Sequence, residues 1–107
     1  NHRVNTANST LYTVPVESVF NQHPEVLKSA LVEVNKRAVL CVELKDKKEP
    51  EVLERIEKDL FLMAGDFLQT REVSSILFKR KLPVDFRHNA KIIREELREW
   101  ASKKLKN

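Results

Sequence analysis

The stretch "SALVEVNKRAVLCVEL", residues 29–44, decides the fold of this chain. Its first half alternates with the period of a β-strand and places Ala30, Val32 and Val34 on one face. Asn35 tolerates the positive φ that a tight two-residue turn demands. The second half, "RAVLCVEL", alternates again, and both faces carry apolar residues. The sequence therefore predicts a β-hairpin in which at least one strand is covered on both sides.

Helices are predicted on either side of this hairpin. The segment "TVPVESVFNQHP" indicates a short helix that Thr13 caps, with Pro15 in the first turn, where its missing N–H costs nothing. A longer helix begins at Pro50. Its apolar residues recur at helical spacing, which predicts a stripe that faces the core. The stripe consists of Val52, Ile56, Leu60, Met63 and Phe67.

A further strand and a last helix complete the chain. "VSSILFKR" is typical of a strand, "KLPVDFRHN" of a loop, and the final helix is predicted to begin with Asn89 as its cap. Ile93, Leu97 and Trp100 would then face inward. The order of elements indicates an α+β fold, a small two-layer domain with a mostly antiparallel sheet and about three helices.

Composition bounds the class of protein. The chain has 107 residues, a formal net charge of +4 and 41% hydrophobic residues, which suit one globular domain. The only cysteine, Cys41, has no internal partner for a disulfide, so we expect a reducing, cytoplasmic compartment. No apolar run approaches the ~20 residues that a membrane span needs. Because the chain begins at Asn1 rather than methionine, we expect it to be a piece of a longer protein.

A complete active site is not visible in the sequence. His2, His23 and His88 have no metal-ligand spacing to each other or to Cys41, so no metal site is predicted. With one glycine the chain has no Gly-rich phosphate loop. No nucleophile elbow surrounds any serine. By itself the chain is therefore not a complete enzyme.

The predicted position of Lys91 is electrostatically unfavourable. If the last helix begins at Asn89, Lys91 falls in the first turn, where the helix dipole disfavours a cation by a few tenths of a kcal/mol. Violations of this kind occur at functional sites. The alternative is an ordinary surface lysine, since most lysines are solvated.

The region around Lys91 resembles a known motif. "LPVDFRHNAKIIREELREWA" is similar to the closing motif of the adenylate-forming ligases, the superfamily of acyl-CoA synthetases and nonribosomal-peptide adenylation enzymes, which reads approximately "LP-T--GKI-R--LR". Asn89 and Ala90 stand where the family usually has a small residue and glycine. The matching positions are Leu82, Pro83, Lys91, Ile92, Arg94 and Leu97.

The front of the chain resembles the same family. "HRVNTANSTLYTVPVESVFNQHPEV" is similar to the segment that opens the mobile C-terminal domain, with His23-Pro24 on the family's "HP". The resemblance implies that residues 1–107 are this C-terminal lid, without the large N-terminal ATP-binding domain. Within the family the likeness is to the branch of fatty-acid ligases and β-lactone synthetases.

The resemblance implies a function. The whole enzyme would activate a carboxylic acid, a fatty or hydroxy-fatty acid, as an acyl-adenylate. ATP and Mg would be bound mainly by the missing domain, which is also the expected partner. Lys91 would be catalytic and stabilise phosphoryl and carboxylate oxygens. The isolated domain is expected to be inactive, with no nucleic acid or membrane partner.

Two further sites follow from the resemblance. Asn1 and His2 fall at the hinge, and Asn8 and Thr10 fall in the loop that acts in the thioester conformation. Asn8 replaces a glycine, and asparagine also adopts left-handed dihedrals. Thr10 stands where some CoA ligases have a basic residue, and the hairpin loop is only "NK". These departures weigh against CoA binding more than against adenylation.

Two alternatives remain at this stage. A nucleic-acid-binding module would use Arg80, Lys81, Arg87 and the "KKLK" tail, although no set of stacking aromatics accompanies them. A non-catalytic α+β interaction domain would leave Lys91 without a role. A ligase domain upstream of Asn1 would decide between these readings.

Overall fold

The computed structural model describes residues 3–106. The elements in chain order are β1 (Arg3–Asn5), β2 (Thr10–Tyr12), α1 (Thr13–Phe20), β3 (Val26–Val34), β4 (Arg37–Leu44), α2 (Pro50–Gly65), β5 (Val73–Phe78), β6 (Val84–Asp85), a 3-10 turn (Phe86–His88), β7 (Lys91–Ile92) and α3 (Arg94–Leu105). The predicted α+β class with three helices is confirmed. None of the helices in this part of the chain has the length and apolar character to cross a bilayer.

The hairpin predicted from residues 29–44 is present as β3 and β4. Val34 pairs with Arg37, so Asn35 and Lys36 alone form the turn. Their φ angles are 51° and 61°. Positive φ at both central positions defines a type I′ turn, whose twist matches that of the strands.

The central sheet has the strand order β3-β4-β5. β3 and β4 are antiparallel, whereas β4 and β5 are parallel, with Leu40 opposite Ile76. A parallel pair needs a crossover connection, which α2 supplies. The remaining strands form two small antiparallel pairs, β1 with β2 and β6 with β7. The prediction of mostly antiparallel pairing is confirmed.

Helices cover both faces of this sheet. α1 and α2 pack on one face, where the buried residues include Val16, Phe20, Leu31, Leu40, Ile56 and Leu60. α3 packs on the opposite face, where they include Val32, Val39, Cys41, Leu82, Leu97 and Ala101. β4 is therefore covered on both sides, as its sequence predicts. α3 adds a third layer to the two that the sequence predicts.

The core stripe of α2 is confirmed except at its end. Ile56 and Leu60 are fully buried, and Val52 and Met63 pack against them at the edge. The prediction for Phe67 is wrong: its side chain is 45% exposed because the helix ends at Gly65. Ala64 takes the buried position instead.

Two predicted helix starts are wrong. α1 begins at Thr13 itself, with Tyr12 as the N-cap residue. α3 begins at Arg94 rather than after Asn89, and Ile93 is its half-exposed N-cap residue. Asn89 has a left-handed φ of 58° and ends the 3-10 turn. Backbone in that region does not start a right-handed helix.

Lys91 is consequently not in the first turn of a helix. It lies in β7, opposite Asp85 of β6. The predicted conflict between Lys91 and a helix dipole does not exist.

Candidate functional site

Residues 84–92 form a small hairpin, named here the 84–92 hairpin, that carries Lys91. The side chain of Lys91 is exposed. Within residues 3–106 its ammonium group makes no hydrogen bond and no ion pair. The amine is thus available to a group outside this domain, while its backbone is held in a strand pair.

Asp85 organises the turn of this hairpin. Its Oδ1 accepts a hydrogen bond from the backbone N–H of Arg87 at 3.0 Å. Its Oδ2 lies 2.7 Å from Nδ1 of His88. The hydrogen bond from His88, followed by that from the Arg87 backbone, holds the pKa of Asp85 below its usual value. Asp85 is therefore an anion at neutral pH, opposite Lys91 in the strand register.

The chain enters β7 through two left-handed residues. Asn89 has φ 58° and Ala90 has φ 55°. The left-handed region costs a residue with a Cβ roughly 1–2 kcal/mol, and asparagine tolerates it better than alanine. The two residues with this unfavourable backbone come immediately before Lys91. The position matches the site where the resembled motif has glycine, which would adopt the same backbone without strain.

The base of the 84–92 hairpin is anchored to the domain core. The backbone N–H of Leu82 donates to Oε1 of Glu43 at 2.9 Å, and both residues are buried. The backbone N–H of Ile93 donates to the carbonyl of Pro83 at 2.9 Å. These bonds fix both ends of the hairpin, so its exposed tip projects from a rigid base.

Arg94, a second position of the motif, has a structural role. Its Nη1 lies 2.9 Å from Oε2 of Glu17, and its Nη2 lies 3.3 Å from Oε1. Nη1 also donates to the carbonyl of Leu31 at 2.9 Å. The guanidinium therefore joins the start of α3 to α1 and β3. Three residues apart, Lys91 faces outward and Arg94 faces inward.

The other predicted site residues that the structure describes are Asn8 and Thr10, and they lie in a different sheet from Lys91. Asn8 lies in the turn between β1 and β2, a separate small sheet, and its backbone N–H donates to Oγ1 of Thr6. Its φ is not positive, so Asn8 does not adopt the left-handed backbone that glycine would permit there. Thr10 donates its hydroxyl to Asn5 at 2.9 Å. The hinge residues Asn1 and His2 lie outside the described residues.

The remaining titratable candidates are structural. His23 is buried, accepts a hydrogen bond from the Glu25 backbone at Nδ1 and faces Asp59 with Nε2 at 3.0 Å. Burial raises the pKa of the Cys41 thiol to about 12, against a smaller opposing effect of Lys79. Cys41 therefore remains a protonated core residue rather than a nucleophile. In residues 3–106 no three His, Cys, Asp or Glu side chains group as metal ligands would.

Sequence reasoning missed the pairing of Asp85 with His88. An Asp-x-x-His spacing inside a loop does not match a metal-ligand pattern. The structure brings these two side chains together on the hairpin that presents Lys91. The signal that could have revealed them is the tendency of aspartate to hydrogen-bond the backbone two residues on.

Comparison with known proteins finds relatives of this chain. An olefin β-lactone synthetase from Xanthomonas campestris pv. campestris is 41% identical over 105 residues, which cover 94% of this chain. The chain is therefore similar to one piece of that synthetase. It spans about one fifth of that relative, since it covers 19% of its length. No protein-family model matches the chain.

Solved ligase structures share the fold. The acyl-CoA synthetase of Brucella canis superposes with a TM-score of 0.72 at 23% identity, over 97% of this chain and 20% of that one. The ATP-bound RpMatB-BxBclM chimera gives a TM-score of 0.75 at 22% identity, over 94% of this chain and 20% of the chimera. At these identities the likeness shows the fold. It is the fold of a segment about one fifth as long as the ligases.

Proposed function

We propose that this chain is the lid of an AMP-forming carboxylate ligase and that Lys91 is its catalytic residue. The observation that carries the proposal is the contrast within one short segment. Lys91 is exposed and makes no side-chain contact with a charged partner in residues 3–106, while Leu82, Ile93 and Arg94 tie the same segment to the core. An unpaired cation on an anchored support suits an anion supplied by another domain.

The chemistry proposed for the whole enzyme is adenylation. A carboxylate oxygen attacks the α-phosphorus of ATP, the bond to the pyrophosphate oxygen breaks, and pyrophosphate leaves with that electron pair. Negative charge on the phosphoryl oxygens must be stabilised where water is excluded. The ammonium of Lys91 is a compact charge on a flexible stem, which suits this task when a lid closes.

The described residues do not fit a magnesium site, because no three of their His, Cys, Asp or Glu side chains group as metal ligands would. We therefore assign ATP and its metal ion mainly to the N-terminal domain of the same enzyme. The substrate we propose is a fatty or hydroxy-fatty acid, in line with the name of the relative, an olefin β-lactone synthetase. We also propose a cytoplasmic location, which the unpaired Cys41 favours.

The test uses the full-length enzyme that carries this chain. Lys91→Ala should abolish most of the ATP–pyrophosphate exchange that depends on the carboxylic acid, and Lys91→Arg should restore little because a guanidinium differs in shape. Lys58→Ala is the matched control, since Lys58 is an exposed lysine on α2. Exchange near the wild-type rate in Lys91→Ala would contradict the assignment.

A second measurement tests the lid itself. The isolated 107-residue chain should bind ATP negligibly in calorimetry, because the proposal places the nucleotide site in the other domain. Saturable binding at micromolar ATP would refute this.

A further inference from the structure

The 84–92 hairpin carries an oriented histidine beside Lys91. Nδ1 of His88 lies 2.7 Å from Oδ2 of Asp85, and the His88 side chain is 67% exposed. Asp85 and Lys91 face each other in the antiparallel register. Directly opposed residues in such a pair project to the same side, with Cβ atoms about 5 Å apart. The imidazole, the carboxylate and the ammonium therefore occupy one side of the hairpin.

The hydrogen bond fixes which nitrogen of His88 carries the proton. Asp85 is ionised and accepts only, so Nδ1 is the donor in this hydrogen bond, and in the neutral tautomer that keeps the bond the lone pair lies on Nε2. In the described residues 3–106, the hydrogen bond to Asp85 through Nδ1 is the one side-chain hydrogen bond that His88 makes. This is the arrangement of a general base: a carboxylate holds one ring nitrogen, and the other is open to a substrate.

We infer that His88 is the general base for the second half-reaction, in which a hydroxyl group attacks the acyl-adenylate, with Asp85 as its positioning residue. The inference rests on the proposed function and names the class of acceptor. A thiol ionises readily enough near neutral pH to attack without strong assistance, whereas an alcohol must lose its proton to a base as it attacks. An aspartate-held imidazole suits the alcohol.

In line with the name of the relative, an olefin β-lactone synthetase, the acceptor in this inference is the 3-hydroxyl of the same acyl chain. Its oxygen forms a bond to the adenylate's carbonyl carbon, and its proton passes to Nε2 of His88. The bond between that carbon and the phosphate oxygen then breaks, and AMP leaves with the electron pair. The products are a four-membered lactone and AMP, so no oxidant or further reactant is needed. Lys91 lies on the same side of the hairpin, where its charge would face the departing phosphate.

The experiment separates the two half-reactions in the full-length enzyme. Acid-dependent pyrophosphate exchange is measured with tetradecanoic acid, which lacks the hydroxyl, and with 3-hydroxytetradecanoic acid. Ring closure is then followed in a single turnover as AMP release and as lactone by mass spectrometry. His88→Ala and His88→Gln should slow ring closure about 100-fold or more, the usual contribution of a general base, while exchange persists.

Two readouts distinguish a base from a merely structural histidine. The wild-type rate of ring closure should fall on acidification as the imidazole takes up a proton. This fall of the rate at acidic pH should be absent in His88→Gln. The charged groups on this side of the hairpin are Asp85, Arg87 and Lys91. The pH dependence of the wild-type rate is therefore compared with that of Asp85→Asn. This variant should close the ring more slowly, and its rate should fall over a different pH range. Added imidazole should restore part of the rate of His88→Ala.

Lys58→Ala is again the control, because Lys58 is exposed on α2 and lies outside the 84–92 hairpin, so closure should proceed normally. Wild-type closure by a folded His88→Ala would overturn the inference and leave adenylation intact. Acyl transfer to added CoA at a rate independent of His88, with no lactone, would overturn the acceptor class. A wild-type enzyme that exchanges no pyrophosphate with either acid would instead overturn the proposed function.

Discussion

Glu17 and Arg94 form a two-point ion pair, at 2.9 and 3.3 Å, between the first and last helices of the domain. The same carboxylate accepts the backbone N–H of Leu31 at 2.7 Å, and the same guanidinium donates to the Leu31 carbonyl at 2.9 Å. One residue of β3 is thus held from both sides. This cluster lies at the first residue of α3, two residues after the 84–92 hairpin.

Removing one partner of this cluster should destabilise the domain. Arg94→Ala leaves the largely buried Glu17 carboxylate without its counter-ion, and we expect a loss of about 2–4 kcal/mol in the free energy of unfolding. Urea denaturation of the chain measures it. Arg98→Ala is the control, because Arg98 is exposed and donates only to the carbonyl of Glu33. Equal losses in the two variants would contradict the anchoring role.

Lys91 should matter for activity and not for folding. Its exposed ammonium stabilises nothing within residues 3–106, so Lys91→Ala should change the free energy of unfolding by less than about 0.5 kcal/mol. Urea denaturation alongside the exchange assay tests both halves. A large loss of stability would mean that the amine has a structural partner.

The turn of the main hairpin offers a stabilising substitution. Lys36 has φ 61°, where glycine is free of strain, and Asn-Gly is the preferred type I′ pair. Lys36→Gly should stabilise the domain by roughly 0.5–1 kcal/mol, seen as a higher urea midpoint with an unchanged slope. Lys45→Gly, outside any positive-φ position, should give no gain. A lower midpoint in Lys36→Gly would argue against the observed turn.

Acid should weaken the domain through Asp85 and Glu25. His88 and the Arg87 backbone lower the pKa of Asp85, and Lys48 lowers the pKa of Glu25. A carboxyl group whose folded-state pKa is lowered stabilises the fold above its unfolded-state pKa. That contribution is lost as pH falls through the folded-state pKa.

Asp85→Asn and Glu25→Gln should therefore be destabilising at pH 7 and nearly neutral at pH 2. Denaturation at both pH values measures this, with Glu54→Gln on the exposed side of α2 as the control. A destabilisation that is the same at both pH values would show that charge is not its cause.

Cys41 should be unreactive in the folded protein. Its side chain is fully buried, and burial raises the pKa of the thiol to about 12, so hardly any thiolate forms at pH 8. Ellman's reagent should label it slowly under native conditions and immediately in concentrated urea. Fast labelling without denaturant would place Cys41 outside the core.

Local patterns in the sequence predicted most of the fold. Asn35 indicated the tight two-residue turn, the alternation in "RAVLCVEL" indicated a strand covered on both sides, and the spacing of Ile56 and Leu60 indicated the buried face of α2. Each of these depends on residues a few positions apart. Such short-range signals can be interpreted without knowledge of the rest of the chain.

The candidate site shows where these signals end. Lys91 was predicted from a resemblance, and its role is still a prediction, but its placement in a helix was wrong because Asn89 and Ala90 adopt left-handed backbone. A helix period and a two-residue strand are indistinguishable over so few residues.

The sequence by itself determined the hairpin, the helical faces and the likeness to the ligases, because periodicity and turn chemistry are local properties. Tertiary structure alone decided the parallel pairing of β5, the ion pair of Glu17 with Arg94 and the placement of Lys91 in β7 opposite Asp85. The first two contacts join residues far apart in the chain, and the third follows the left-handed backbone of Asn89 and Ala90, within a hairpin whose ends are anchored to the core.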